Sequence, residues 1–106
     1  MEQYIPQTIP LTRFIAIGSS TGGPQALESI LQHLNKSTLP IVITQHMPEN
    51  FTLAFANRLN ETTPIAVKEA EDGDILKRGQ TYIAPGGKQL RVKRHKADFF
   101  IQLSDD

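Results

Sequence analysis

Apolar positions along the chain follow two successive rhythms, and the change between them divides the sequence. Phe14-Ile15-Ala16-Ile17 is a continuous apolar run closed by Gly18, the pattern of a strand buried on both faces of a parallel sheet. After the loop from Gly18 to Gly23, Pro24 stands where a first helical residue is favoured. Ala26, Leu27, Ile30, Leu31 and Leu34 then recur at helical spacing. Asn35-Lys36-Ser37-Thr38 breaks that helix, and Pro40 leads into Ile41-Val42-Ile43, apolar throughout and β-branched. Arg13 to Gln45 therefore predicts one strand-helix-strand unit with a right-handed crossover and two parallel strands. A second helix is expected from Asn50, a candidate cap, with Phe51, Phe55 and Leu59 at a spacing of four, ending before Pro64. Ile65-Ala66-Val67 supplies a third strand.

Beyond Asp72-Gly73-Asp74 the pattern shortens to alternating runs, Thr81 to Ala84, Gln89 to Arg94 and Phe99 to Leu103, which read as antiparallel hairpins. Leu90 and Val92 point one way and Arg91 and Lys93 the other, so this ribbon has one wet, basic face. The fold class is α/β: a Rossmann-like parallel sheet (β-α-β-α-β) followed by antiparallel β-hairpins. Residues 1–12, with Pro6 and Pro10 between short apolar residues, read as an arm or linker remnant, and residues 13–106 as the folded part.

Composition narrows the function classes. Eleven basic and 11 acidic residues cancel, so the molecule lacks the strong positive field that draws a protein to nucleic acid or anionic membrane. Without cysteine there is neither a disulfide nor a thiolate metal site, and a reducing, cytoplasmic location is the default. The start has neither the basic region nor the apolar run of a signal peptide, and no stretch approaches the roughly 20 apolar residues that span a bilayer. No cofactor and no metal is expected.

The candidate chemistry lies at two strand ends. Gly18-Ser19-Ser20-Thr21-Gly22-Gly23 joins a buried strand to a helix whose first turn carries unpaired N–H groups and a positive dipole end, so negative charge is favoured there. Two readings fit. Gly-rich loops of this kind cradle phosphates or nucleotides. The register Gly18-x-Ser20-x-Gly22 also holds a serine on a tight exposed turn, with the backbone N–H groups of Thr21 and Gly22 ready for an oxyanion. His46, in Thr44-Gln45-His46-Met47-Pro48, falls just past the carboxyl end of the second strand as Ser20 falls past that of the first. Ligands of parallel α/β sheets bind at that rim, and an imidazole there can take a serine proton and return it to a leaving group. The plain alternative is that His46 caps its strand through a backbone hydrogen bond. His33, late on the first helix, and His95, in a hairpin turn, are expected to be solvated. The cluster Lys88, Arg91, Lys93, Arg94 and Lys96 is either a wet ribbon face or a meeting point for an acidic partner.

Ile15-Ala16-Ile17-Gly18-Ser19-Ser20-Thr21-Gly22-Gly23 and Thr44-Gln45-His46-Met47-Pro48 resemble the chemotaxis receptor protein-glutamate methylesterases. Glu69-Ala70-Glu71-Asp72-Gly73 and Tyr82-Ile83-Ala84-Pro85-Gly86 are similar to segments at comparable positions in that family, so the likeness runs from about Phe14 to Leu90. The resemblance implies hydrolysis of glutamate methyl esters on the cytoplasmic helices of methyl-accepting chemoreceptors, with glutamine deamidation in some members. It implies Ser20 as nucleophile and His46 as base. The family's catalytic aspartate belongs to a later Gly-Met-Gly-x-Asp-Gly segment, which also supplies a second oxyanion donor, and a receiver domain commonly precedes the catalytic domain. Neither has a counterpart in these 106 residues. The expectations are thus the amino-terminal part of the family domain, incomplete and with little or no activity alone, which self-associates through an unpaired sheet edge. Glu69, Glu71, Asp72 and Asp74 are candidate substitutes for the missing acid. The rival readings are a phosphate or nucleotide binding module using the Gly18–Gly23 loop, and a noncatalytic scaffold.

Overall fold

The computed structural model describes residues 13–19 and 23–105, so the expected arm at 1–12 lies outside the described residues. In chain order the elements are β1 (Ile15–Ser19), α1 (Gly23–Leu31), β2 (Ile41–Gln45), α2 (Thr52–Thr62), β3 (Ala66–Glu69), β4 (Gln80–Ile83), β5 (Gln89–His95) and β6 (Asp98–Ser104). Four strands form a parallel sheet in the order β1-β2-β4-β3, and β5 and β6 form an antiparallel ribbon.

The continuous apolar runs end up where their composition requires, because β2 and β4 lie at the centre of the sheet and bury both faces. Ile41 and Ile43 of β2 and Ile83 of β4 are fully buried with Leu27 and Leu31 of α1 and Phe55, Ala56 and Leu59 of α2. Their neighbours Val42 and Tyr82 point through the other face into a second cluster with Leu76 and Ile101, onto which Leu90, Val92, Phe99 and Leu103 of the ribbon pack. The result is three layers: helices, parallel sheet, ribbon. Each fully buried aliphatic side chain contributes about 1.5–3 kcal/mol relative to leaving it in water.

Four expectations are corrected in detail. The run Phe14–Ile17 is not buried on both faces: β1 is an edge strand with Ile15 37% exposed and Ala16 exposed, while Phe14 and Ile17 are half-buried. Thr81–Ala84 is not part of a hairpin but lies in a parallel strand inserted between β2 and β3, registered as Ile43↔Ile83 and Glu69↔Ile83. The link from β3 to β4, residues 70–79, contains no helix. It is held instead by the ribbon. The Gly73 N–H donates to the Ile101 carbonyl, Ile101 N–H to Asp74, and Leu76 N–H to Phe99, with an antiparallel bridge Ile75↔Phe100. That link is thereby pinned along β6 without forming a strand of its own.

The helix termini account for the other two. α1 stops at Leu31 rather than Leu34, its end tightened by bonds from His33 N–H to Ile30 and Leu34 N–H to Leu31. An Asn35 side-chain turn then captures the Ser37 N–H at 2.8 Å. α2 begins one residue later than Asn50 would cap it. Phe51 occupies the cap position without a side-chain bond and is 60% exposed, so the spacing-of-four face is carried by Phe55 and Leu59 alone.

Candidate active site

Parallel pairing decides where the chemistry gathers. β1 and β2 run in register from Ile15↔Ile41 to Ser19↔Gln45, and Ala84 just past β4 donates its N–H to Ile43 on β2. The carboxyl ends of all three strands therefore open on one rim. The chain leaves Ser19 into Ser20 and leaves Gln45 into His46, and Ser19 and Gln45 are register partners. Ser20, Thr21 and Gly22 themselves lie outside the described residues, and with them the loop on which phosphate or nucleotide binding would depend.

His46 is exposed, in a non-regular segment immediately after β2. It lines a cleft of about 500 Å³ whose walls are Thr44 to Met47 on one side and Ala84 to Leu90 on the other. Among the described residues the imidazole makes no hydrogen bond, so the strand-capping role does not account for it.

The second wall is fixed by a small buried network. Thr52 at the start of α2 is fully buried; its hydroxyl accepts the Gly86 N–H at 3.1 Å and donates to Glu69 Oε2 at the end of β3 at 2.5 Å. One side chain thus ties α2, β3 and the turn after β4 together behind the cleft. Gly86 is necessary for this fit, because a Cβ there would stand 2.7 Å from Glu49 Cα and 2.8 Å from the carbonyl oxygens of Met47 and Pro48. The turn and the segment following His46 are consequently in backbone contact. At the far lip, Lys88 is ion-paired with Asp105, and that hydrogen bond and charge push its ammonium above the usual value of 10.5.

The four carboxylates considered as substitutes for a third acid are occupied elsewhere. Glu69 binds Thr52, and Asp72 Oδ1 accepts the Leu103 N–H at 2.7 Å. Asp74 pairs with Lys68 at 3.0 Å and accepts the Glu71 N–H, while Glu71 is exposed beside Lys68. Glu71, Asp72 and Asp74 thus shape the start of the link to β4. His33 and His95 are exposed and away from the cleft. Among the described residues no group of three or more His, Asp or Glu could hold a metal ion, and no helix is long and apolar enough to cross a membrane.

The sequence pattern singled out His46 but not Thr52, which sits between the aromatic positions that mark the face of α2. Only the likeness of the segments around Glu69 and Gly86 to a family pattern hinted that two of Thr52's partners mattered.

Residues 15–106 match the family model described as CheB methylesterase. A protein-glutamate methylesterase/protein-glutamine glutaminase of Leptospira interrogans is 56% identical over 93 residues, covering 88% of this chain and 27% of the relative. The corresponding protein of Colwellia psychrerythraea is 50% identical over 95 residues, 89% of this chain and 25% of the relative. Among solved structures, the CheB methylesterase catalytic domain of Thermotoga maritima superposes with a TM-score of 0.84 at 45% identity, covering 89% of this chain and 50% of that one. The chain thus spans about a quarter of the length of these curated relatives and half of the solved domain chain.

Proposed function

This chain belongs to the CheB methylesterase family, and from that premise we propose that its rim carries the serine and histidine of a protein-glutamate methylesterase. Ser20 Oγ attacks the ester carbonyl of a methylated glutamate, and His46 accepts its proton. The N–H groups of Thr21 and Gly22 hold the oxyanion. The proton passes to the departing methoxy group, methanol leaves, and water brought in by the same imidazole releases the glutamate carboxylate. Attack on a glutamine amide by the same route releases ammonia. The substrates are the cytoplasmic helices of methyl-accepting chemoreceptors, and the working compartment is the cytoplasm.

The observation that supports this reading best is the in-register parallel pairing of Ser19 with Gln45, which sends the chain into Ser20 and His46 from neighbouring positions on one rim, with His46 open to a cleft. Methanol release from a peptide bearing a glutamate methyl ester tests it. Ser20→Ala and His46→Ala must each abolish whatever turnover the protein shows, and turnover that survives Ser20→Ala would sink the assignment.

Two further properties belong to the same proposal. His46 has no carboxylate partner among the described residues, and in serine proteases loss of the orienting acid lowers turnover by roughly 10⁴-fold. The 106-residue chain by itself is therefore a poor catalyst. The edge strand β1, with Ile15 exposed, favours self-association by strand pairing. A monomer by light scattering across a wide concentration range would refute that.

A further inference from the structure

Thr52 is the first residue of α2, and a threonine at a helix start ordinarily turns its hydroxyl to a backbone N–H of its own first turn. Here both bonds leave the helix. The hydroxyl has a single hydrogen, which goes to Glu69 Oε2 at 2.5 Å and leaves the oxygen to accept the Gly86 N–H at 3.1 Å. The direction of the relay is therefore fixed: Gly86 donates to Thr52, and Thr52 donates to Glu69. A fully buried hydroxyl is costly unless bonded, and valine would fill the same volume, so the packing of α2 alone does not call for threonine.

At one end the relay is anchored in the sheet. Glu69 closes β3 in register with Ile83 of β4, and the next residue, Ala70, donates its N–H to the Ile83 carbonyl at 2.8 Å. At the other end it reaches the segment that carries His46. Gly86 lies so close to the backbone of Met47, Pro48 and Glu49 that no Cβ fits between them. That segment turns back on itself through the bond from Phe51 N–H to the Pro48 carbonyl at 3.0 Å, which brings the chain to Thr52 six positions after His46. His46, Gly86 and Thr52 thus belong to one closed circuit, with Glu69 as its fixed point. The imidazole is exposed and has no hydrogen-bond partner among the described residues, so its placement beside the cleft is set by that backbone.

We propose that Thr52 and Glu69 are positioning residues for His46: together they hold the turn at 85–88 against residues 47–49 and so keep the imidazole where an ester bound in the cleft can use it. The use of that imidazole as a base rests on the esterase reading; its placement does not. Neither Thr52 nor Glu69 lines the cleft, so neither touches substrate. Their effect belongs on kcat. A base displaced by about 1 Å costs about 10²-fold, while the side chains that line the cleft keep their identities and substrate binding changes less.

Two readouts on the 106-residue chain test this. In a proton–carbon NMR spectrum the His46 ring signal is the one of three histidine signals that His46→Ala removes. It should shift in Thr52→Val and in Glu69→Leu. It should keep its parent position in Thr52→Ser and Glu69→Gln, which retain the hydroxyl and an acceptor. Ile65→Ala, which empties core just before the amino end of β3, controls for lost stability without a lost relay and should also leave it in place. A His46 signal unmoved in Thr52→Val, or moved as far in Ile65→Ala, overturns the proposal. Circular dichroism checks that each variant is folded; if Thr52→Val is not, Glu69→Leu against Glu69→Gln decides. The second readout is methanol release from the glutamate methyl ester peptide. In Thr52→Val kcat should fall about 10- to 100-fold with KM within about threefold, and Thr52→Ser should recover kcat to within about threefold of the parent. If Ser20→Ala abolishes turnover while Thr52→Val leaves kcat within about threefold, the esterase reading stands and the positioning role falls. If turnover survives Ser20→Ala, or none is measurable in the parent, the ring signal alone decides the positioning role.

Discussion

Gly86→Ala probes whether the cleft beside His46 is built by backbone contact. The added Cβ would meet Glu49 Cα at 2.7 Å and the carbonyl oxygens of Met47 and Pro48 at 2.8 Å, and ordinary contact begins at 3.4 Å. One of the two segments must therefore retreat by about 0.6–0.7 Å, and no rotamer change relieves a clash with backbone atoms. Overpacking of this kind costs about 1–3 kcal/mol. The retreat also stretches the 3.1 Å bond from Gly86 N–H to Thr52, worth about 0.5–1.5 kcal/mol. Together the expected loss is about 1.5–4.5 kcal/mol, or a Tm lowered by about 6–36 °C at the 4–8 °C per kcal/mol of a domain this size. Urea unfolding measures it, with the slope unchanged if only the native state is strained. Gly87→Ala is the control, since its Cβ would meet only the movable Glu49 carboxylate, and the cost there is that of placing alanine at a φ of +81°. In an NMR spectrum the resonances of His46 and Met47 should shift in Gly86→Ala more than in Gly87→Ala. A loss below about 0.5 kcal/mol, or unmoved Met47 resonances, would refute the claim that these two loops form one packed unit.

Three further perturbations test other parts of the structure. Thr52→Val removes the hydroxyl that serves both Gly86 and Glu69, and should cost about 1–3 kcal/mol by denaturant unfolding, with Thr52→Ser restoring most of it. Ile101→Ala empties the centre of the second core and should cost about 2–5 kcal/mol, leaving the ribbon amides more open to hydrogen exchange. Burial, with a smaller push from Asp74 and an opposing bond from the Lys77 N–H, raises the Tyr82 hydroxyl above its usual 10.0. The folded state therefore holds that proton more tightly than the unfolded one, and its contribution is intact below pH 10 and lost as pH climbs through the raised value. Unfolding curves from pH 9 to 11 should show a decline that is shallower in Tyr82→Phe; parallel declines in both proteins would contradict this assignment.

The first strand-helix-strand unit was legible because its signals are local: apolar runs closed by Gly18 and Pro40, and a helix marked by Pro24 and its spacing. The ribbon was legible for the same reason, since alternation at Gln89–Arg94 and Phe99–Leu103 and a short turn between them define a hairpin without reference to anything distant. What escaped was non-local. Nothing in Thr81–Ala84 shows that it will slip between β2 and β3, because its partners lie far back in the chain and its link to β3 has no helix to announce a crossover. The exposure of β1 is likewise a matter of its place in the sheet, whatever its composition. At the rim, His46 stood out because an imidazole directly after a buried apolar run is conspicuous. Thr52 carries the cleft's far wall through two hydrogen bonds to residues 17 and 34 positions away, and a lone threonine at a helix start reads as ordinary.

The strand order bears on how the protein comes into being. β3 is joined to the sheet only through β4, which follows it in the chain, so on a ribosome β3 emerges with α2 to pack on but its one partner strand still unmade. Until Ile83 is out, Val67 has no neighbouring strand to shield it, and the sheet's second face is left bare until the ribbon arrives. Assembly of the carboxyl-terminal half should accordingly proceed as one late event, with the nascent chain most in need of protection between those two moments.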